Sequence, residues 1–315
     1  MNLENEKIFV AGHRGMVGSA LVRLLQKRGA QHLLLRGRAE LDLKDAKAVN
    51  SFFEAERPDH VILVAAKVGG IQANMQDPGT FLFDNLVIQN NVIDESRRSG
   101  VKKICFLGSS CIYPRECPQP MKEEYLMTGP LEPTNEGYAL AKIAGLRLVQ
   151  YYAKQYGMNG ICPMPCNLYG TNDSFDLKHS HVLSALVRRF CDAVDSGLDE
   201  VSMWGTGSAK REFMHVDDVA EAVLFLMEKW DSPEIINVGP GNDVSIRELA
   251  ETIAEMTGYK GTLAWDTTKP DGMPRKCLDV SRLKSLGYEP KISLREGIGG
   301  VIEEYRRLKR EGKIK

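Results

Sequence analysis

Tyr138 and Lys142 lie four residues apart in NEGYALAKIAGLRL, a stretch that reads as helix, so the phenol and the ammonium share one face. An ammonium beside a phenol favours the tyrosinate and can draw its pKa from about 10 towards neutrality, making Tyr138 a usable proton donor or acceptor beside a carbonyl. Upstream, GSSCIYP (108–114) follows the apolar run KKICFL and puts two hydroxyls and a thiol where a buried strand meets open space. Ser109 is then placed to bind and orient a substrate oxygen while Tyr138 passes the proton. Cys111, two residues further on, could fill space, bind metal, enter a disulfide or move a proton.

The other cysteines narrow that choice. Seven cysteines, Cys105, Cys111, Cys117, Cys162, Cys166, Cys191 and Cys277, are an odd number, and none forms a CxxC pair of the zinc or thioredoxin kind. A disulfide framework and a structural metal site are therefore not expected. Cys105 sits in a strand-like apolar run and reads as a small core residue. A formal net charge of −1 gives no global attraction to nucleic acid or to an anionic membrane. The basic stretch RRLKREGKIK suits the exposed C-terminal end of a helix. The start, MNLENEKIFVAG, lacks a signal-peptide pattern, and no apolar run approaches the roughly 18 residues of a membrane span. The expectation is a soluble cytoplasmic protein without metal.

These side chains need elements to hold them. At 315 residues the chain is long enough for roughly two domains on a prior of ~150 residues each. The first half alternates strand-like and helix-like runs: strands at 7–11, 32–36, 60–66, 102–107 and 160–164, with helices from Met16 to about Arg28, near 44–56, near 79–98 and from about Gly137 to Tyr156. Strands separated by helical stretches imply βαβ units and a parallel sheet. The second half carries a helix near 181–195, the short units VSMWGTG, REFMHV and IINVG, the helical SIRELAETIAEMTG, and an amphipathic segment near 294–310. The expected fold class is α/β, a Rossmann-type doubly wound parallel sheet with a smaller, partly interleaved α/β substrate lobe. The division runs 1–165 with about 214–240 for the dinucleotide domain, and about 166–213 with 241–315 for the second lobe.

The segment KIFVAGHRGMVGSALVRLL sets Gly12, Gly15 and Gly18 between the first strand and first helix as GxxGxxG. Glycines here allow a tight turn, close approach of backbone to a pyrophosphate and close helix packing, and the helix N-terminus favours the anion. After the second strand, LLLRGRAELDL carries Arg36 and Arg38 where an NAD site usually has an acidic residue, and Arg14 lies inside the glycine loop. Guanidinium groups suit a 2′-phosphate by charge and forked hydrogen bonding, so NADP is preferred, with Arg38 and Arg14 ahead of Arg36.

Together, GxxGxxG, the strand-end Ser109 and the Tyr138–Lys142 pair resemble the extended short-chain dehydrogenase/reductase superfamily, as does PCNLYG (165–170), which fits the P-x-N-x-Y-G stretch that such proteins carry near the nicotinamide. AGHRGMVGSA, AAKVGGI, GSSCIYP, LEPTNEGYALAKIAG, DSFDLKHSHV, REFMHVDD and KPDGMPRKCLDVSRL narrow the likeness, over nearly the whole chain, to the GDP-L-fucose synthase family. That resemblance implies conversion of GDP-4-keto-6-deoxy-D-mannose to GDP-L-fucose. Inversion at C3 and C5 is followed by NADPH-dependent reduction of the C4 ketone. The ketone acidifies the C3 and C5 hydrogens, because the carbanion left behind is an enolate. Each inversion needs a base on one face of the ring and an acid on the other. A thiol with a reference pKa of about 8.5 and an imidazole of about 6.5 both exchange protons near neutral pH.

The resemblance assigns Cys111 as the base and His181, in KHSHVL, as the acid, with His179 as a poorer competitor. It extends the NADP site to His13, Met16 and Val17 in the glycine loop, and to Asp42 after the second strand. It adds Leu107, Gly108, Pro165, Asn167 and Leu168 at the strand ends, together with Lys142 and His181. Arg189, Trp204, Arg211 and Asp271 match its GDP-sugar positions, and it implies a homodimer through a helix pair. One departure stands out: Cys166 in PCNLYG replaces a residue that the family commonly has as threonine. The nearest rivals are a 4-epimerase or a 4,6-dehydratase of the same superfamily, which would favour an acidic residue after strand two. A dehydratase would also carry an acidic pair where this chain has Cys111. A non-catalytic dinucleotide-binding regulator would have no reason to keep all five reactive side chains.

Overall fold

A computed structural model of the chain describes residues 1–176, 180–269, 271 and 273–314. The first half runs β1 (Lys7–Ala11), α1 (Met16–Lys27), β2 (His32–Leu34), α2 (Ala46–Glu56), β3 (His60–Leu63), α3 (Ile71–Gln76), α4 (Pro78–Arg98), β4 (Lys103–Phe106), α5 (Glu136–Tyr156) and β5 (Gly160–Pro165). It continues through β6 (Asn167–Tyr169), α6 (Val182–Ser196), β7 (Glu200–Trp204), β8 (Lys210–Arg211), β9 (Phe213–His215), α7 (Val216–Lys229) and β10 (Ile235–Val238). The last stretch holds β11 (Val244–Ser245), α8 (Ile246–Thr257), β12 (Thr262–Asp266), β13 (Arg275–Lys276), α9 (Ser281–Ser285) and α10 (Leu294–Arg310).

Six parallel strands form the main sheet in the order β10-β5-β4-β3-β1-β2. Strands β1, β3, β4 and β5 are buried along nearly their whole length, which is why they read as continuous apolar runs. The chain leaves β1 for β2 on one side and then crosses to β3 on the other, so a crevice opens at the C-terminal ends of β1 and β3. Open α/β sheets place their ligands at such a switch point.

Two apolar clusters fill the molecule. The larger surrounds the main sheet and takes in α7 and β10. The smaller is built from α6, β7, α8 and α10, around Phe190, Ile253 and Ile298. The chain passes between them within a few residues, with Cys166 in the larger and Tyr169 in the smaller, then Phe213 in the smaller and Met214 in the larger. One segment departs from the expected division. Leu278, Val280, Leu283 and Tyr288 pack into the larger cluster, although the sequence division put 241–315 in the second lobe. Their anchor is long-range: the Tyr288 hydroxyl donates to the Asp218 carbonyl at 2.6 Å, and Asn237 Nδ2 donates to the Asp279 carbonyl at 2.9 Å. No helix among the described residues is long and apolar enough to cross a membrane.

Candidate active site

The glycine loop has the shape its spacing predicts. Gly12 adopts φ +95°, and a Cβ there would sit 2.7 Å from the Ala65 amide nitrogen at the end of β3. A Cβ on Gly18 would fall inside the Gly12 carbonyl, so only glycine lets α1 approach its own entry turn. Gly15 caps α1, and a Cβ there would meet only the Gly12 carbonyl oxygen among the described residues, at an ordinary 3.5 Å, leaving the rest of its face to a ligand. Met16 and Val17 form the first turn of α1. The His13 Nδ1 is buried beside the loop with no partner among the described residues, and burial, with the Arg14 charge, holds its pKa below the usual histidine value.

The arginines separate clearly. Arg14 lies across Gly37, where a Cβ would touch its guanidinium, and is 74% exposed, its one ion pair among the described residues being a 3.9 Å contact to Glu40. Arg38 is 77% exposed and reaches Asp42 at 3.6 Å, while Asp42 also accepts from the Lys44 amide. Both guanidinium groups are therefore available to an anion at the end of β2. Arg36 is not: it pairs with Glu56 at 2.5 Å and lies over the Phe52 ring.

The strand-end residues gather at the C-terminal end of β4. Gly108 follows Leu107 where a Cβ would collide with the Met164 sulfur. Ser109 caps a short 3₁₀ turn over Ser110–Ile112 by accepting from the Cys111 amide at 3.2 Å, and its hydroxyl is hydrogen-bonded to the Tyr138 phenol. The same turn leaves Cys111 half-buried, and Asn135 Nδ2 donates to its sulfur at 3.2 Å. Asn135 is the N-cap of α5, so one helix start supplies both Asn135 to the thiol and Tyr138 to the serine. The Asn135 Oδ1 is buried and has no partner among the described residues. Sequence reading passed over Asn135, although it stands inside the quoted PTNEGY run.

On one point the structure differs from the sequence expectation. Lys142 is buried, donates to the Leu107 carbonyl at 2.7 Å and lies 4.9 Å from the Phe106 ring centroid. Burial holds it down to about 8, and its ammonium is 5.8 Å from the Tyr138 ring centroid. The phenol, far from being drawn towards neutrality, is raised above its ordinary value by burial, then by the neighbouring Cys111, against the opposing hydrogen bond from Ser109. Tyr138 is thus a loaded proton donor throughout the neutral range rather than a tyrosinate.

Around the cleft, Pro165 ends β5 and Asn167 Nδ2 donates to the Glu212 carbonyl, tying β6 to β9, where Leu168 faces Met214. Cys166 is buried against Glu212, and burial pushes its thiol well above the usual range, so it is a packing residue. His181 caps α6, 47% exposed, with Nδ1 3.3 Å from Asp173 Oδ1. Its partner is therefore Asp173, the first residue of the quoted DSFDLKHSHV run and one given no role there, and not the Cys111 group. His179 lies outside the described residues.

In the second lobe, Arg189 donates to the Ser202 carbonyl and so joins α6 to β7. Trp204, at the end of β7, is 74% exposed with Lys269 5.9 Å above its ring. Asp271 accepts from the Thr206 amide at 2.9 Å and its hydroxyl at 2.7 Å, locking the turn after Trp204. Arg211 donates to the Met273 carbonyl at 2.6 Å. The loop carrying Asp271 and Met273 thereby links the turn after β7 to β8.

Comparison with known proteins places this geometry. Residues 8–239 match the model of the NAD dependent epimerase/dehydratase family. The chain is 56% identical over 302 residues to a putative GDP-L-fucose synthase 2 of Arabidopsis thaliana, covering 96% of this chain and 92% of that one. It is 49% identical to the GDP-L-fucose synthase of Escherichia coli K12, covering 96% and 97%. Among solved structures, a GDP-mannoheptose C4 reductase of Campylobacter jejuni with NADP bound superposes with a TM-score of 0.90 at 38% identity, over 97% of this chain and 99% of that one. The chain belongs to the NAD dependent epimerase/dehydratase family, within its GDP-L-fucose synthase branch.

Proposed function

We propose that the protein converts GDP-4-keto-6-deoxy-D-mannose to GDP-L-fucose, inverting C3 and C5 and then reducing the C4 ketone with NADPH in one cleft. The observation that carries the reading is the junction at α5. A thiol suited to proton abstraction and a serine–tyrosine pair suited to ketone reduction are held there by residues 135 and 138 of a single helix start. The direct test is oxidation of NADPH by pure protein on addition of that keto sugar; a failure to oxidise it would overturn the reading.

In the first half of the reaction, Cys111 as thiolate removes a ring proton next to the ketone, and the electron pair moves onto the C4 oxygen as an enolate. The Ser109 and Tyr138 hydroxyls stabilise that oxygen by hydrogen bonding. His181 then delivers a proton to the opposite face of the same carbon, completing an inversion. Asp173 favours the charged ring, holding the His181 pKa above the ordinary histidine value although burial opposes it. That pairing favours the doubly donating imidazolium.

The NADP cradle fits the residues present: Gly12 and Gly18 let the backbone approach, Gly15 leaves the helix N-terminus open, and Arg14 and Arg38 offer two exposed guanidiniums. NADPH, when bound, supplies the hydride for C4. Tyr138 gives its proton to the C4 oxygen as charge develops there, and Ser109 orients that oxygen. Lys142, fixed on the Leu107 carbonyl, places a positive charge behind the tyrosine. Substituting Arg38→Ala is expected to raise KM for NADPH about 10- to 100-fold, the worth of a charge-assisted contact, while leaving KM for NADH unchanged. Equal effects on both cofactors would remove Arg38 from the 2′-phosphate site.

The domain division we favour puts the cofactor on the main sheet and the GDP end on the α6–β7–β8 lobe. Arg189, Trp204, Arg211 and Asp271 serve there as sugar-nucleotide residues. A homodimer through α4 and α5, which pack together and expose Phe83, Leu140 and Tyr151, is part of the same reading. Sedimentation equilibrium is expected to return twice the chain mass; a monomer at micromolar concentration would contradict it.

A further inference from the structure

The Asp173 carboxylate is enclosed although it belongs to a surface loop. Its side chain is 4% exposed, against 47% for the His181 ring it meets. Its two oxygens are held from different directions: Ser184 Oγ donates to Oδ2 at 2.5 Å, and the Ser174 amide donates to Oδ1 at 2.8 Å, the oxygen that also faces His181 Nδ1. Ser184 is fully buried in the first turn of α6, three residues after His181. The loop itself is pinned by Phe175, which is buried in the smaller cluster with its ring 5.0 Å from that of Tyr305. A fixed carboxylate of this kind dictates how a flexible imidazole stands.

We propose that Asp173 is the positioning residue for His181, binding Nδ1–H so that Nε2 is the nitrogen that hands over the proton during inversion, with Ser184 holding the carboxylate in place. This rests on His181 being the acid of the proposed reaction. A carboxylate on Nδ1 selects the tautomer that free histidine disfavours, and it prevents the ring from flipping so as to present the wrong nitrogen. It also keeps the ring charged to higher pH, the direction found for His181. A solely structural role, in which the carboxylate complements the N-terminus of α6, would affect stability and leave the tautomer alone.

The test combines nitrogen-15 NMR of the histidine rings with solvent-deuterium incorporation into C3 and C5 of the keto sugar, on the full-length protein with NADP present. In the wild type, neutral His181 is expected to carry its proton on Nδ1. In Asp173→Asn the titration midpoint of His181 is expected to fall and the Nε2–H tautomer to appear. Deuterium incorporation should drop about 10- to 100-fold, and Asp173→Glu should restore part of it. His181→Asn should lose at least as much. An Nε2–H ring in the wild type would overturn the proposal, as would unchanged titration and exchange in Asp173→Asn. The first of these outcomes is read on the wild type alone, without any variant. If His181→Asn exchanged deuterium at the wild-type rate, the assignment of the acid itself would fail, and the NMR result would still report on the pairing.

Discussion

Cys111→Ser is expected to bind NADPH as the wild type does and to lose incorporation of solvent deuterium at C3 and C5 by about 10²- to 10⁴-fold, the usual worth of a positioned general base. The substitution changes one atom. Serine keeps the size of the side chain, the 3₁₀ turn capped by Ser109 and a group able to accept from Asn135, so neither the fold nor the cofactor cradle is disturbed. It removes the one property the mechanism needs, the greater acidity of a thiol over a hydroxyl. Deuterium entering C3 and C5 at the wild-type rate in this variant would show that another group is the base, and Cys111 would return to the inert packing role that Cys105 fills. Cys105 is buried in β4, with its thiol pushed up to about 12.

Tyr138→Phe divides the two halves of the reaction from the other side. The ring remains to pack at the start of α5, but the hydroxyl that bonds to Ser109 and, in the proposed reaction, protonates the C4 oxygen is gone. Reduction, followed as NADPH oxidation, is expected to fall about 10²- to 10⁴-fold. Exchange at C3 and C5 should fall by about tenfold or less, because Ser109 still faces the enolate oxygen. The pH dependence follows from the burial of the couple. Tyr138 is raised and stays protonated through neutral and mildly alkaline conditions, so it sets no limb there. Lys142 is lowered to about 8, so it is charged below that pH and loses its charge above it. The reductive step should therefore decline above about pH 8 as the charge behind Tyr138 disappears. A rate flat to pH 10 would show that the Lys142 charge plays no part.

Much of this was legible in the residues. The glycine loop, the strands of the main sheet and helices α1, α4, α5, α8 and α10 were readable because burial on both faces, or on one helical stripe, imposes a strong local pattern. The preference among arginines followed from position, and only coordinates could show that Arg36 turns inward to Glu56 while Arg14 folds over Gly37. Three things left no local trace. Asp173 acquires its role from a helix that begins nine residues later, and nothing local in TNDSFD sets it apart from Asp176 or from an ordinary turn-former. The strands β8, β11 and β13 have two residues each, too few for any period to register. The Tyr138–Lys142 spacing correctly predicted a shared helix face. What it could not predict was the Leu107 carbonyl, which captures the ammonium and leaves the phenol protonated.

The central claim, two inversions by proton exchange and one hydride transfer in a single cleft, is tested most directly by one product analysis. The wild-type protein is incubated with GDP-4-keto-6-deoxymannose and unlabelled NADPH in deuterium oxide, and the position of every deuterium in the isolated GDP-sugar is read by NMR. The account predicts deuterium on carbon at C3 and C5, ordinary hydrogen at C4, and the configuration of L-fucose. A C4-reduced product with hydrogen retained at C3 and C5 would contradict it, leaving a simple ketone reductase in which Cys111 and His181 transfer no proton.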